Sequence, residues 1–324
     1  LPKFSHKGFM DKLTKIQGAL IGGAIGDAIG FIVEKKPIVV VQEFANTLSR
    51  TGEYTIPFRT YPKDYEFGQY SDDTQFSKLL ILAHLEQKPY LQYLLADFKS
   101  DKLIGLGKNT RTILSHYLNK PDEVVEVKLL DNISNGSLMR TGVIGLLYHK
   151  ESELKYHSRS HSQLTHNTPD ALNACEMLSS VVSQLIEGVN PHKIVEKFSP
   201  EMKHLILKGM WTHSPEELRK EILKRTELAK EWQGVPPLAQ DTLHAALVSF
   251  MKFHDKSYKD LLVHTLSLGG DTDSTCSIAG ALWGACNGVD KIDAEFRYII
   301  HDHKQFNEAY FMTLGMEVLN YRNK

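Results

Sequence analysis

Gly269-Gly270-Asp271-Thr272-Asp273-Ser274 opens the run GGDTDSTCSIAGALWGACNG, residues 269–288. Two glycines followed by two carboxylates and a hydroxyl mark a helix start, because acids in a first turn complement the helix dipole and serine is a preferred cap. The helix is expected over 274–287, and beyond Ser274 the glycines Gly280, Gly284 and Gly288 recur every fourth residue. Ser71-Asp72-Asp73-Thr74 repeats the acidic start about two hundred residues earlier, ahead of a helix expected over 71–85. Both segments supply more carboxylate than a cap needs.

A matching ridge lies near the beginning of the chain. Gly18, Gly22, Gly26 and Gly30 recur every fourth residue in a helix expected over 11–34. Each costs about 1 kcal/mol against alanine in a helix interior, so four of them require a compensating gain. Close approach of a second helix supplies one, and the two ridges are expected to pack together. Leu13, Ile16, Leu20, Ala24 and Phe31 recur at threes and fours, the period of an amphipathic helix. The apolar run 19–33 is interrupted by Asp27 and reads as too short to cross a bilayer. Asp27 and Glu34, seven apart, share a face with Leu20 and Phe31. A carboxylate in such company needs a partner, and Asp27 reads equally as a buried acid capping a neighbouring loop.

Strand-type alternation is nearly absent. Helices are expected at 90–99, 108–117, 141–148, 170–187, 191–198, 215–230, 240–253 and 258–268, with the segment from Ala294 onward less regular. Pro37 to Val41 fits a short strand or part of a helix, and 46–67 reads as a long loop of the kind that covers a site. The expectation is an all-α chain: 1–10 an N-terminal extension or tag remnant, 11–324 a single domain.

Hydrophobic residues at 42% and charged residues at 24% place the chain among ordinary globular proteins, and a net charge of -1 gives no global field to gather nucleic acid or anionic membrane. Cys175, Cys276 and Cys286 lack CxxC spacing, which argues against a disulfide framework or zinc ribbon and for a reducing compartment, so cytoplasm is expected.

Asp72, Asp73, Asp271 and Asp273 with the hydroxyls of Ser71 and Ser274 form a hard, all-oxygen ligand set. Such a set selects Mg2+ or Mn2+ over zinc and has carboxylates enough for two ions. Gly105-Leu106-Gly107 and Asn135-Gly136-Ser137 are glycine turns feeding helix starts, which aim backbone N–H groups at an anion. Arg140 reads as a surface ion-pair residue and His166 as a partly buried histidine bonded to backbone. His157 and His161, four apart, share a helix face, but the sequence offers no third ligand beside them.

Taken in order, these motifs resemble the ADP-ribosylglycohydrolases, the family of dinitrogenase-reductase-activating glycohydrolases and ADP-ribosyl-acceptor hydrolases. The resemblance rests on the glycine ridge 18–30 with Glu34, on Ser71-Asp72-Asp73-Thr74, on Gly105-Leu106-Gly107 and on Gly136-Ser137-Leu138-Met139-Arg140. It extends through Thr165-His166 and the segment 234–250 to Gly269–Ser274, most of the chain. It implies a compact, orthogonal all-α bundle whose central cleft holds a binuclear Mg2+ or Mn2+ site ligated by Ser71, Asp72, Asp73, Asp271, Asp273 and Ser274. Gly105, Gly107, Asn135, Gly136, Ser137, Met139 and His166 would hold ADP-ribose. One of Glu34, Asp72, Asp73 and Asp273 would activate water. Ser71 and Ser274 stand where threonine is common, and Asn167 where glycine is frequent. The expected activity is release of ADP-ribose from a modified protein by a monomeric enzyme, arginine-linked as the first expectation, with no membrane partner and a nucleic-acid acceptor ranked below protein. Other ADP-ribosyl linkages (serine, nucleic acid, O-acetyl-ADP-ribose), diphosphate cleavage, and a non-catalytic ADP-ribose-binding or crystallin-like role stand as alternatives.

Overall fold

A computed structural model of the chain describes residues 6–51, 66–121, 125, 130–211 and 214–324. In chain order the helices are α1 (His6–Gly30), α2 (Ile38–Thr51), α3 (Asp72–Leu85), α4 (Tyr90–Lys99), α5 (Lys108–Asn119), α6 (Leu138–Thr141), α7 (Ile144–Leu147), α8 (Glu151–Gln163) and α9 (Pro169–Ile186). They continue with α10 (Pro191–Val195), α11 (Pro200–Trp211), α12 (Pro215–Leu223), α13 (Glu227–Trp232), α14 (Ala239–Phe253), α15 (Tyr258–Leu266), α16 (Thr272–Asn287), α17 (Ala294–Arg297) and α18 (Glu308–Arg322). Among the described residues extended pairing is confined to isolated bridges, so the all-α expectation holds.

α1 is the axis of the molecule. Every residue from Ile16 to Gly30 is buried, and Ile16, Ile21, Ile25 and Ile29 have no exposed surface. The amphipathic reading is therefore corrected: a helix hydrophobic all round belongs in a core. The expectation that its apolar run is too short for a bilayer is corrected as well. Lys7–Val33 is long and apolar enough by length and composition, but 94% of the window lies buried inside the fold.

α16 packs along α1 through the two glycine ridges. A Cβ added to Gly22 would sit 2.5 Å from the carbonyl oxygen of Gly280, and one added to Gly18 2.5 Å from that of Gly284. The backbones thus touch with no side chain between them, which is the gain that offsets four costly glycines. Tyr258 of α15 clamps the crossing by donating its hydroxyl to the Gly22 carbonyl.

Other local expectations shift. α2 begins at Ile38, so the Pro37–Val41 segment is helical and the helix runs into the segment expected to be a loop; positions 52–65 lie outside the described residues. The expected helix 215–230 is two, because Thr226 caps a new start by accepting from the Ala229 N–H. The expected helix 141–148 divides into α6 and α7 around Gly142. Two helices had no sequence counterpart. α8 is too polar to show an apolar period, and α11 lies between two proline-led segments.

Buried ionic groups fix the C-terminal quarter. Arg322 donates to the carbonyls of Gly145, Leu146 and Tyr148 at the end of α7 and to Glu187 at 2.9 Å. Lys78 on α3 meets Asp302 at 2.8 Å with both side chains buried.

Candidate active site

The first acidic start is set by α1. Asp27 is fully buried, and its carboxylate accepts from the Ser71 N–H (3.1 Å to each oxygen), the Thr74 N–H (3.0 Å) and the Thr74 hydroxyl (2.6 Å). Asp27 is thus the cap of α3, the structural reading of that residue. Burial raises its carboxyl above the usual range against the pull of those hydrogen bonds. Ser71 adds a second cap by accepting from the Asp73 N–H at 3.3 Å. Asp72 and Asp73, freed from capping, point onward into the cleft.

The second start is set by two glycines in the left-handed region, Gly269 (φ +71) and Gly270 (φ +79). They let the chain turn against Gly234 and Val235: Val235 donates to the Gly269 carbonyl at 3.1 Å and Asp271 donates to that of Val235 at 2.9 Å. Lys35 donates to the Gly270 carbonyl at 2.9 Å, and the Thr272 hydroxyl donates to that of Gly30 at 2.7 Å. These bonds bring Glu34, just beyond the end of α1, beside the first turn of α16.

The two starts meet. The Ser274 hydroxyl donates to Asp73 Oδ2 at 3.3 Å, across about two hundred residues of sequence. One carboxylate oxygen from each of Glu34, Asp271 and Asp273 lies within 4.8 Å of the others. Asp73 Oδ1 and Asp273 Oδ1 are buried with no hydrogen-bond partner. Burial raises the carboxyls of Asp72, Asp73 and Asp273, and neighbouring carboxylates push the same way. Asp271 rises to about 6 through burial, opposed by hydrogen bonds from Asn135 and others. Glu34 rises to about 7 through burial and then the Asp271 charge.

These groups line a cleft of about 240 Å3 together with Gly105, Gly107, Asn135, Gly136, Met139 and Ser274. Three predicted residues stand behind that wall. Ser71 is buried in the α3 cap. Ser137 is buried and accepts from the Ser162 hydroxyl at 2.8 Å. His166 is buried, bonded through Nε2 to Ser134 Oγ and through Nδ1 to Thr165 Oγ1, both at 2.8 Å, so its partners are side chains rather than the backbone expected. Burial lowers His166 to about 3, which leaves it a neutral prop under Gly136. Asn135 is committed to protein, donating to Thr242 Oγ1 at 3.0 Å and to Asp271 Oδ2. Arg140 is not a surface residue. It is fully buried, donates to the Gly136 carbonyl at 3.0 Å and Thr165 Oγ1 at 2.7 Å, and lies against the Phe76 and Tyr90 rings.

The sequence reading missed Lys108, Asn109, Thr110, Ser134, Trp232 and Pro237, which also line the cleft. Lys108 to Thr110 form the first turn of α5, which no side chain caps, so its N–H groups are available to a ligand. Trp232 carries Lys35 over its ring at 4.6 Å. Its one sequence signal is its place just before Gln233-Gly234, the segment that contacts Gly269.

A sequence model of the ADP-ribosylglycohydrolase family matches residues 10–321. The chain belongs to this family. Among its relatives, an ADP-ribosylarginine hydrolase of Serratia proteamaculans (strain 568) is 27% identical over 87% of this chain and 74% of the relative. ADP-ribosylhydrolase ARH3 of Mus musculus is 24% identical over 86% and 85%, and the ADP-ribosyl-[dinitrogen reductase] glycohydrolase of Rhodospirillum rubrum is 26% identical over 85% and 86%. A solved structure titled ADP-ribosylglycohydrolase-related protein complex superposes with a TM-score of 0.68 over 96% of this chain and 99% of its own, at 20% identity, and shows that the ADP-ribosylglycohydrolase fold is shared.

Proposed function

We propose that this ADP-ribosylglycohydrolase releases ADP-ribose from an acceptor by hydrolysing the anomeric bond of the distal ribose. The observation that carries the reading is the meeting of two acidic helix starts and Glu34 around one cleft, with two buried carboxylate oxygens left without partners. Buried anions in such number need cations or protons, and an all-oxygen donor set suits Mg2+ or Mn2+. Asp72, Asp73, Asp271 and Asp273 would hold the ions, with the Ser274 hydroxyl at the edge of the set and the Ser71 hydroxyl behind it, against Asp73 Oδ2. When bound, the ions would supply positive charge that fixes the ribose hydroxyls and acidifies water.

The chain's own groups do the rest. Glu34, a carboxylate beside Asp271 and Asp273 on the cleft wall, is placed to take a proton from water. Its alternatives for that role are Asp72, Asp73 and Asp273. Carboxylate oxygens not engaged by the ions would face the positive charge that grows on the ribose as the glycosidic bond breaks. Gly105 and the uncapped first turn of α5 offer N–H groups to the diphosphate, with the Lys108 charge beside them. Gly107 leaves open space where a side chain would stand. Trp232 supplies a flat wall for the ligand.

An acidic cleft also favours a cationic leaving group, so arginine-linked ADP-ribose is the first acceptor to test. The Serratia relative carries that activity in its name. The test is chromatography of products from a panel of defined ADP-ribosyl linkages, with Mn2+, Mg2+ or chelator. Intact ADP-ribose, formed with an ion and lost in Asp72→Asn and Asp273→Asn, is expected. AMP as product, or unchanged turnover by the Asp72→Asn, Asp273→Asn double variant, would overturn the proposal.

A further inference from the structure

The last turn of α3 carries His84, and α8 carries His157 and His161 one turn apart on one face. Sequence alone offered a pair; the fold supplies the third histidine. One ring nitrogen from each lies within 4.8 Å of the other two, and the Nε2 atoms of His84 and His161 are 2.7 Å apart. Two nitrogen lone pairs cannot face one another at that distance, so one nitrogen carries a proton between them, the place a metal ion takes.

The rings are held in position by their surroundings. Tyr148 stacks on His157 with centroids 4.2 Å apart, and its hydroxyl bonds His84 Nδ1 at 2.9 Å and the Tyr321 hydroxyl at 2.9 Å. Tyr90 packs edge-on against His161. The Tyr148 hydroxyl can accept from His84 Nδ1, which leaves the Nε2 lone pair facing His161, the outer-shell arrangement typical of metal-ligating histidines.

We propose that His84, His157 and His161 form a binding site for a divalent transition-metal ion of the Zn2+ class, separate from the carboxylate cleft. Three imidazoles without a carboxylate select Zn2+, Co2+, Ni2+ or Cu2+ and discriminate against Mg2+. Zinc–nitrogen bonds of about 2.0–2.1 Å in a tetrahedral site set ligand nitrogens roughly 3.3 Å apart. The 2.7 Å pair therefore opens by about half an ångström, a small side-chain adjustment at a half-buried place. Burial pulls all three histidines below their usual value, which leaves them in the neutral, ligating form. Glu153, one turn before His157, contributes a negative charge that acts on His157 and Tyr148. The Arg140 guanidinium near His161 opposes it.

Twelve residues of α3 separate Asp72 from His84, about 18 Å of helix, so the two sites are independent in their ligands. They share a scaffold: Arg140 donates to both the His161 carbonyl (3.3 Å) and the Gly136 carbonyl (3.0 Å). A bound ion would tie the far end of α3 to α8 and steady the turn that borders the cleft.

Titration with Co2+ tests this directly, with millimolar Mg2+ present to occupy the cleft. The expected result is the intense visible absorption of tetrahedral cobalt, saturating near one equivalent and displaced by Zn2+, with Tm rising on Zn2+ addition. His161→Ala and His157→Gln should each weaken binding by at least about tenfold. His157→Gln changes a half-buried ring and keeps the test decisive if His161→Ala does not fold. Absence of the cobalt band in the wild-type chain, or unchanged affinity in His157→Gln, overturns the proposal.

Discussion

Gly26→Ala tests whether direct backbone contact between α1 and α16 builds the site. A Cβ at Gly26 would lie 2.1 Å from the Cys276 carbonyl oxygen and 2.5 Å from its carbon. Ordinary contact begins near 3.4 Å, so the helices must part by about 1.3 Å, and neither partner atom belongs to a side chain that can swing away. Overpacking of this kind costs about 1–3 kcal/mol or more, against about 1 kcal/mol gained in helix propensity. With overpacking at the upper end of that range, a net loss of about 2 kcal/mol is expected, or a Tm lower by roughly 3 °C for a chain of this length. Gly23→Ala is the internal control. Its Cβ would meet the Ala281 Cβ at 3.4 Å and the Ser277 carbonyl oxygen at 3.5 Å, which is ordinary contact, so the propensity gain survives and stability is unchanged or slightly higher. Because α16 carries Asp273 in its first turn, Gly26→Ala should also lose more activity than its stability change explains. Thermal unfolding and ADP-ribose release measured on both variants decide the matter. Equal stability of Gly23→Ala and Gly26→Ala would refute the reasoning.

Three further outcomes are expected. In chelator, stability should fall as pH rises from 4.5 through about 7, because Glu34 and Asp271 titrate higher in the folded chain than in the unfolded one, and folding is therefore favoured while they hold protons. Saturating Mn2+ should flatten that slope, and an identical Tm-versus-pH profile with and without Mn2+ would count against cation binding by the cluster. Asp302→Ala strands the buried Lys78 ammonium and should cost about 3–5 kcal/mol in denaturant unfolding, with Lys78→Met restoring part of the loss in the double variant. Trp232→Ala should raise KM about tenfold through lost stacking while kcat stays near wild type, a split that steady-state kinetics reads directly.

Much of this fold is legible because glycine and aspartate are expensive in the places they occupy. Four glycines one turn apart in α1 and two in α16 have no local reason to be there, and the contacts of Gly22 with Gly280 and Gly18 with Gly284 supply the missing one. Aspartates in excess of capping need at two helix starts likewise foretell a shared destination, and the Ser274–Asp73 bond lies at it. What stayed hidden depends on neighbours distant in sequence. Arg140 has no sequence mark of burial; its partners, the Gly136 carbonyl, Thr165 and two aromatic rings, exist only once α3, α4 and α8 are assembled. Trp232 becomes a cleft wall only because Gly234 abuts Gly269. α8 shows no apolar period because it buries Leu154, Ser158 and Ser162, two of them polar.

Asp27 shows how the carboxylates divide their labour. It is the most thoroughly satisfied of them, with an N–H donor on each oxygen and the Thr74 hydroxyl on Oδ2, and it holds α3 in place. Asp72, Asp73 and Asp273 are equally removed from water and receive little in return. Asp73 has two serine hydroxyls near one oxygen and nothing on the other, and Asp273 Oδ1 is bare. A fold that only needed helix caps could stop at Asp27, Ser71 and one acid per helix. Each further buried carboxylate raises the proton affinity of the rest, so without cations the cluster destabilises the charged form of its own members. The backbone-to-backbone seat of α1 on α16 positions the helix start that carries Asp273. That repulsion is relieved when protons or cations arrive. In the proposed mechanism the same repulsion would draw cations to the cleft.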